Sequence, residues 1–173
     1  MKVTFPHIGK AYIPVRLLLE SMGTQTAVPE INNEATLAQG SRISPDEICL
    51  PFKLMAGNLK DGYKKGADTA LVTATEGPCR LGQYCQLLSD VLDSQNCNMD
   101  WIVLDSPAAI GKKEFLARLK KLKGNGASGK VKTIRMVQKA RKLMLRMDLL
   151  EEQCFFLAGY AGNPSELVAI RRN

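Results

Sequence analysis

The stretch Thr69-Ala70-Leu71-Val72-Thr73-Ala74, continuing as Thr75-Glu76-Gly77-Pro78-Cys79-Arg80-Leu81-Gly82, decides the reading of this 173-residue chain. Its apolar and β-branched run has the length of a buried strand, and the Gly-Pro pair closes that strand with a tight turn. Leu81, Cys85, Leu88 and Leu92 then recur at helical spacing, which predicts a helix from about Leu81 to Asp93. Cys79 falls between strand and helix. In an open parallel sheet this is the carboxyl edge, where ligand crevices form and helix N-termini offer N–H groups to anions. A thiolate is such an anion, and the neighbouring Arg80 favours it, so Cys79 is a candidate ligand or reactive thiol. The plainer alternative is a turn cysteine without chemistry.

Toward the amino terminus, Lys2–Pro6 reads as a strand and His7-Ile8-Gly9-Lys10 as the loop leaving it. A helix from Ala11 or Pro14 to Ser21 stops at Gly23, and Thr24–Pro29 is a second strand, which together make a βαβ unit. His7 thus lies on the same edge as Cys79, as a ligand, an acid–base group or a packed loop residue. Toward the carboxyl terminus, Met99–Asp105 is a fourth strand, closed by Ser106-Pro107. The fold class is α/β: a small Rossmann-like parallel sheet of four strands, order 2-1-3-4, flanked by helices and followed by a long basic C-terminal helix. Residues 1–123 form the lobe, 124–129 a Gly-rich linker, and 130–173 a basic helical appendage packed on the same domain.

Between the second and third strands, Glu34–Gln39 is a short helix before Gly40. Ser44-Pro45-Asp46-Glu47 then combines an N-cap Ser, Pro at the first helical position and an acid at the third, which predicts a helix start. Pro51 interrupts it, so a turn to Cys49 and a restarted helix from Pro51 to about Lys65 are expected. Cys49 would then sit near a helix N-terminus, either as a stabilised thiolate or buried between Ile48 and Leu50. Cys85 lies on the apolar face of its helix, with a third-ligand role left open. Cys97 lies in the polar loop Gln95-Asn96-Cys97-Asn98 with nothing to activate it. Gly124-Asn125-Gly126-Ala127-Ser128-Gly129 matches G-x-G-x-x-G in form, but a Lys-rich helix (Ile110 to Lys123) precedes it where a dinucleotide fingerprint requires a strand.

The net charge of +7 is concentrated in one segment. Residues 112–146 hold 13 Lys or Arg against 1 acid, whereas residues 1–111 carry 9 against 12. The helix from Lys130 to about Leu157 carries an apolar stripe of Met136, Ala140, Leu143, Met147, Leu150 and Cys154, expected to face the core. Beside it runs a basic stripe of Lys132, Arg135, Lys139, Lys142 and Arg146, suited to tracking phosphates or simply to facing solvent. No secretory signal or apolar run of membrane-spanning length is present, so a soluble, cytoplasmic protein is expected. Five cysteines at irregular spacing argue against a disulfide framework.

Several stretches resemble one family. Phe5-Pro6-His7-Ile8-Gly9, Ser44-Pro45-Asp46-Glu47-Ile48-Cys49-Leu50-Pro51-Phe52-Lys53, Leu54-Met55-Ala56-Gly57-Asn58 and Gly77-Pro78-Cys79-Arg80 resemble the acyl-CoA dehydratase activase-related proteins. These are similar to the iron–sulfur component of 2-hydroxyacyl-CoA dehydratases and to double-cubane cluster proteins of anaerobes. The resemblance covers most of residues 1 to about 105 and, more loosely, the remainder. It implies an iron–sulfur cluster, 4Fe-4S or double-cubane, with Cys49 and Cys79 as metal ligands and His7 and Arg80 as cofactor-binding neighbours. Family members carry a second lobe with a further cysteine, and Lys10 stands where Asn commonly follows the first-loop Gly. The chain thus looks like an amino-terminal half: a fragment, a split subunit or a degenerate relative.

The function expected from this resemblance is a cluster-binding module in low-potential electron transfer or reductive dehydration of an acyl-CoA-like small molecule. A second lobe, a partner subunit or a homodimer would complete the site, and an ATP-dependent activase would supply the nucleotide chemistry. The alternative is a non-catalytic protein-interaction module of the same fold, docking through the basic helix on an acidic partner. Nucleic-acid binding is a third reading, with no recognised motif and an aromatic content of only 6% to support it.

Overall fold

The computed structural model describes residues 1–73, 79–124 and 130–160, with the backbone alone for 130–133. Four parallel strands form one sheet: β1 (Lys2–Thr4), β2 (Gln25–Thr26), β3 (Thr69–Thr73) and β4 (Asp100–Leu104), in the spatial order β2-β1-β3-β4. This is the expected 2-1-3-4 order. The strands are shorter than expected at β1 and β2, and Pro6, which has no N–H to donate, lies just beyond β1.

Helices α1 (Tyr12–Ser21), α2 (Glu34–Ile43), α3 (Leu50–Lys64) and α4 (Tyr84–Asp93) are followed by the short α5 (Pro107–Ile110), then α6 (Lys112–Lys121) and α7 (Lys130–Ala158). Alternation along β3 sorts them onto two faces. Ala70 and Val72 pack with Phe52, Met55, Ala56 and Leu59 of α3 and Leu88 and Leu92 of α4. Leu71 points the other way, into Val3, Leu19, Met22, Ile102 and Leu122, so that α1 and the end of α6 cover the second face. Each fully buried Leu or Phe contributes about 1.5–3 kcal/mol of transfer free energy, which makes these two clusters the main source of stability.

No helix starts at Ser44, and residues 45–48 form only the expected turn, the Ile48 N–H donating to the Pro45 carbonyl at 3.4 Å. Instead α2 continues through Gly40 to Ile43, and Ser44 ends it, its Oγ donating back to the Gly40 carbonyl at 2.7 Å. Tertiary packing overrides the local signal here. A Cβ on Gly40 would collide with the Lys53 carbonyl and one on Gly57 with the Thr36 carbonyl, so the bare backbones of α2 and α3 lie against each other. The restart is as expected, with Pro51 in the first turn of α3 and Cys49 as its N-cap residue.

Cys97 lies in the expected loop before β4 but is buried there. Asn96 adopts a left-handed conformation (φ 56°), a normal helix ending for Asn, and the Cys97 N–H donates to the Leu92 carbonyl at 3.0 Å. The turn folds Cys97 under α4, where it is 5% exposed and part of the core. The end of α6 is pinned to the first βαβ unit: Thr24 Oγ1 donates to the Leu122 carbonyl and the Gly124 N–H to the Met22 carbonyl at 3.1 Å. The Gly-rich linker beyond it, at 125–129, lies outside the described residues.

Candidate functional site

Two places on the fold carry chemistry or recognition. The first joins the N-termini of α3 and α4. Cys49 precedes α3, Tyr84 opens α4, and Cys49 Sγ lies 3.3 Å from the Tyr84 hydroxyl. Phe52, one turn into α3, stacks edge-on against Tyr84 (5.0 Å between centroids, 88°) and holds the phenol in place. The hydrogen bond from Tyr84 pulls the Cys49 thiol below its ordinary pKa despite partial desolvation, and the same bond pushes the Tyr84 phenol up. Cys79 and Arg80 lie at the start of the 3₁₀ turn Arg80–Gln83, which runs directly into Tyr84 and α4. Tyr84, a residue that nothing in the sequence singled out, thus joins Cys49 to the start of α4, to which the turn of Cys79 and Arg80 leads.

His7 belongs to a different arrangement. It is buried, its Nε2 donates to the Pro29 carbonyl at 2.8 Å, and its ring packs edge-on against Tyr12 at 4.2 Å. Its backbone N–H donates to Asn58 Oδ1 at 2.6 Å. Asn58, fully buried, donates in turn to Asn32 Oδ1 at 2.8 Å, and Asn32 Nδ2 closes the loop on the His7 carbonyl at 3.2 Å. The network ties the loops after β1 and β2 to α3 and satisfies buried polar groups; His7 is a packed loop residue.

The iron–sulfur expectation is overturned. Among the described residues, no group of three or more His, Cys, Asp or Glu side chains converges to hold a metal ion. A cubane is usually held by four thiolates. Cys85 packs against the core and burial pushes its thiol up; Cys97 is buried and shifted the same way. Cys154 lies far along α7, beside Gly9 and Lys10. The electron-transfer and dehydration roles built on a 4Fe-4S or double-cubane centre, for which the resemblance offered Cys49 and Cys79 as ligands and His7 and Arg80 as neighbours, fall with it.

The second place is α7. It packs on α1, and of the predicted apolar stripe Ala140 is buried and Met136, Leu143, Met147 and Cys154 are half-buried, whereas Leu150 is exposed and Glu151 beside it is half-buried. Met144, Met147, Asp148 and Glu151 lie along Ile8, Lys10 and Pro14, around a cleft of about 170 Å³. Arg135, Lys139, Lys142 and Arg146 are exposed, and among the described residues none of them has an acidic partner within 4.0 Å. The unexpected feature is a second apolar row on the open side: Ile134, Val137, Leu145, Leu149 and Phe156 are exposed, the last by 65%. No helix of the described residues is long and apolar enough to cross a membrane.

No family model matches the chain, and neither does any curated protein or solved structure among those compared.

Proposed function

We propose that this chain is a non-catalytic protein-interaction module that docks through α7. The observation behind the proposal is the combination on one helix of a solvent-facing apolar row with a basic stripe. A helix that turns large apolar side chains to solvent beside unneutralised cations has a driving force for burial and a charge preference for an acidic counterpart. The resemblance to dehydratase-related proteins is compatible with this reading as that of a lobe retaining the fold without the cluster.

The test is affinity capture from the host with the full chain and with the variant R135E/K139E/K142E/R146E, at low and at physiological salt. These side chains are exposed, so the variant keeps the wild-type circular dichroism spectrum. A partner held by wild type, lost by the variant and weakened by salt supports docking on an acidic surface. Recovery of the same partners by both proteins contradicts it. A parallel titration with duplex and single-stranded DNA at two salt concentrations separates the nucleic-acid reading, which requires affinity that falls steeply with salt.

A further inference from the structure

The open face of α7 is complementary to itself. Ile134, Val137, Arg141, Leu145, Leu149, Glu152 and Phe156 succeed one another at steps of three or four residues along the helix, Tyr160 continues the row in the turn that ends it, and all are exposed. The row is nearly palindromic about Met147. Leu145 and Leu149 lie two residues to either side, Arg141 six before and Glu152 five after, Val137 ten before and Phe156 nine after, and Ile134 and Tyr160 thirteen each. Charge follows the same symmetry. From Lys130 to Arg146 the helix carries seven basic residues and no acid, whereas from Met147 to Ala158 it carries Asp148, Glu151 and Glu152 and no base.

We infer that the partner of α7 is a second copy of this chain, its α7 running antiparallel across a two-fold axis at the level of Met147. In that arrangement Leu145 of each copy meets Leu149 of the other, Val137 meets Phe156, and Ile134 meets Tyr160. Arg141 meets Glu152 twice, once on each side of the axis. A two-fold interface requires that whatever lies at one end of a patch complement what lies at the other, and this row satisfies the requirement in both its apolar and its charged positions. The basic half of each helix also faces the acidic half of its counterpart, which selects the antiparallel over the parallel pairing. A helix of 29 residues is about 43 Å long, enough for a continuous helix-pair seam. The inference rests on α7 being the docking face and names the occupant.

The experiment is sedimentation equilibrium of the full chain under reducing conditions, with wild type, R141E, E152R and the double swap R141E/E152R. Wild type sediments as a dimer. Either single reversal places like charges together at both symmetric positions and weakens the dimer about tenfold or more, and the double swap restores it. All of these side chains are exposed, so circular dichroism of each variant remains that of wild type. A monomeric wild type overturns the proposal, as does a dimer indifferent to the single reversals or not recovered by the double swap. If the chain is monomeric yet still loses a captured acidic partner in R135E/K139E/K142E/R146E, self-pairing fails while the docking role of α7 stands. If neither self-association nor partner capture depends on α7, both fail.

Discussion

Cys49 Sγ and the Tyr84 hydroxyl lie 3.3 Å apart although 35 residues separate them in sequence. The contact joins the first turn of α3 to that of α4 and places a hydrogen-bond donor on an exposed sulfur at a helix N-terminus.

Cys49 is therefore expected to be the most readily alkylated of the cysteines whose acidity is perturbed. Its thiol is shifted down by Tyr84, whereas burial shifts those of Cys85 and Cys97 up. Iodoacetamide labelling read by mass spectrometry across pH should show Cys49 reacting at lower pH than the other two. In Tyr84→Phe the Cys49 profile should move to higher pH. An unmoved profile would show that the phenol does not support the thiolate.

The α2–α3 crossing predicts a cost for the smallest possible substitution. Gly57→Ala places a methyl group against the Thr36 carbonyl and should destabilise the fold by about 1–3 kcal/mol in chemical denaturation. Phe52→Ala, which empties the centre of one core cluster and frees Tyr84, should cost about 3–5 kcal/mol. Equal midpoints for wild type and Gly57→Ala would mean that the helices do not touch through their backbones.

Acid should act in part through Asp61. Burial pushes this carboxyl up, but Lys65 Nζ at 2.8 Å and the Glu30 N–H at 2.9 Å outweigh it, so the group is held below the usual carboxylate range. A depressed pKa in the folded state means stabilisation that is complete above the unfolded value of about 3.9 and disappears as pH falls through the folded one. Asp61→Asn should thus lower stability at neutral pH by a modest amount, about 0.2–1 kcal/mol for so accessible a pair, and the gap to wild type should close in strong acid. A gap that persists undiminished there would assign the effect to something other than ionisation.

Much of the fold was legible because short parallel strands and their crossovers leave few topologies, and because Leu71 between Ala70 and Val72 marks a sheet covered on both faces. The helix boundary at Ser44 was not, since the signal that overrode it is the backbone contact of Gly40 and Gly57 with residues of the opposite helix. The burial of Cys97 within its loop was not legible, because the left-handed turn at Asn96 that buries it is a conformation and not a residue type. The edge cysteines were found, but their relation was misread. A motif shows which thiols lie near helix starts, and only the fold reveals that Tyr84 lies beside Cys49 and that, among the described residues, no metal-ligating group converges on it. The basic stripe of α7 was visible, whereas its second apolar row was hidden by the assumption that an amphipathic helix buries all its large apolar residues.

Hydroxyl-radical footprinting of the chain, as dilute purified protein and again in host extract, tests most directly whether α7 is a docking surface, whatever covers it. Met144, Leu145, Leu149, Phe155 and Phe156 are exposed on α7; Ile31 and Leu50 are comparably exposed on other elements and serve as references. At a dilution where sedimentation shows the chain monomeric, docking predicts that the α7 side chains oxidise readily and become protected in extract while Ile31 and Leu50 do not change. Oxidation of the α7 residues at the same rate in both conditions would contradict it.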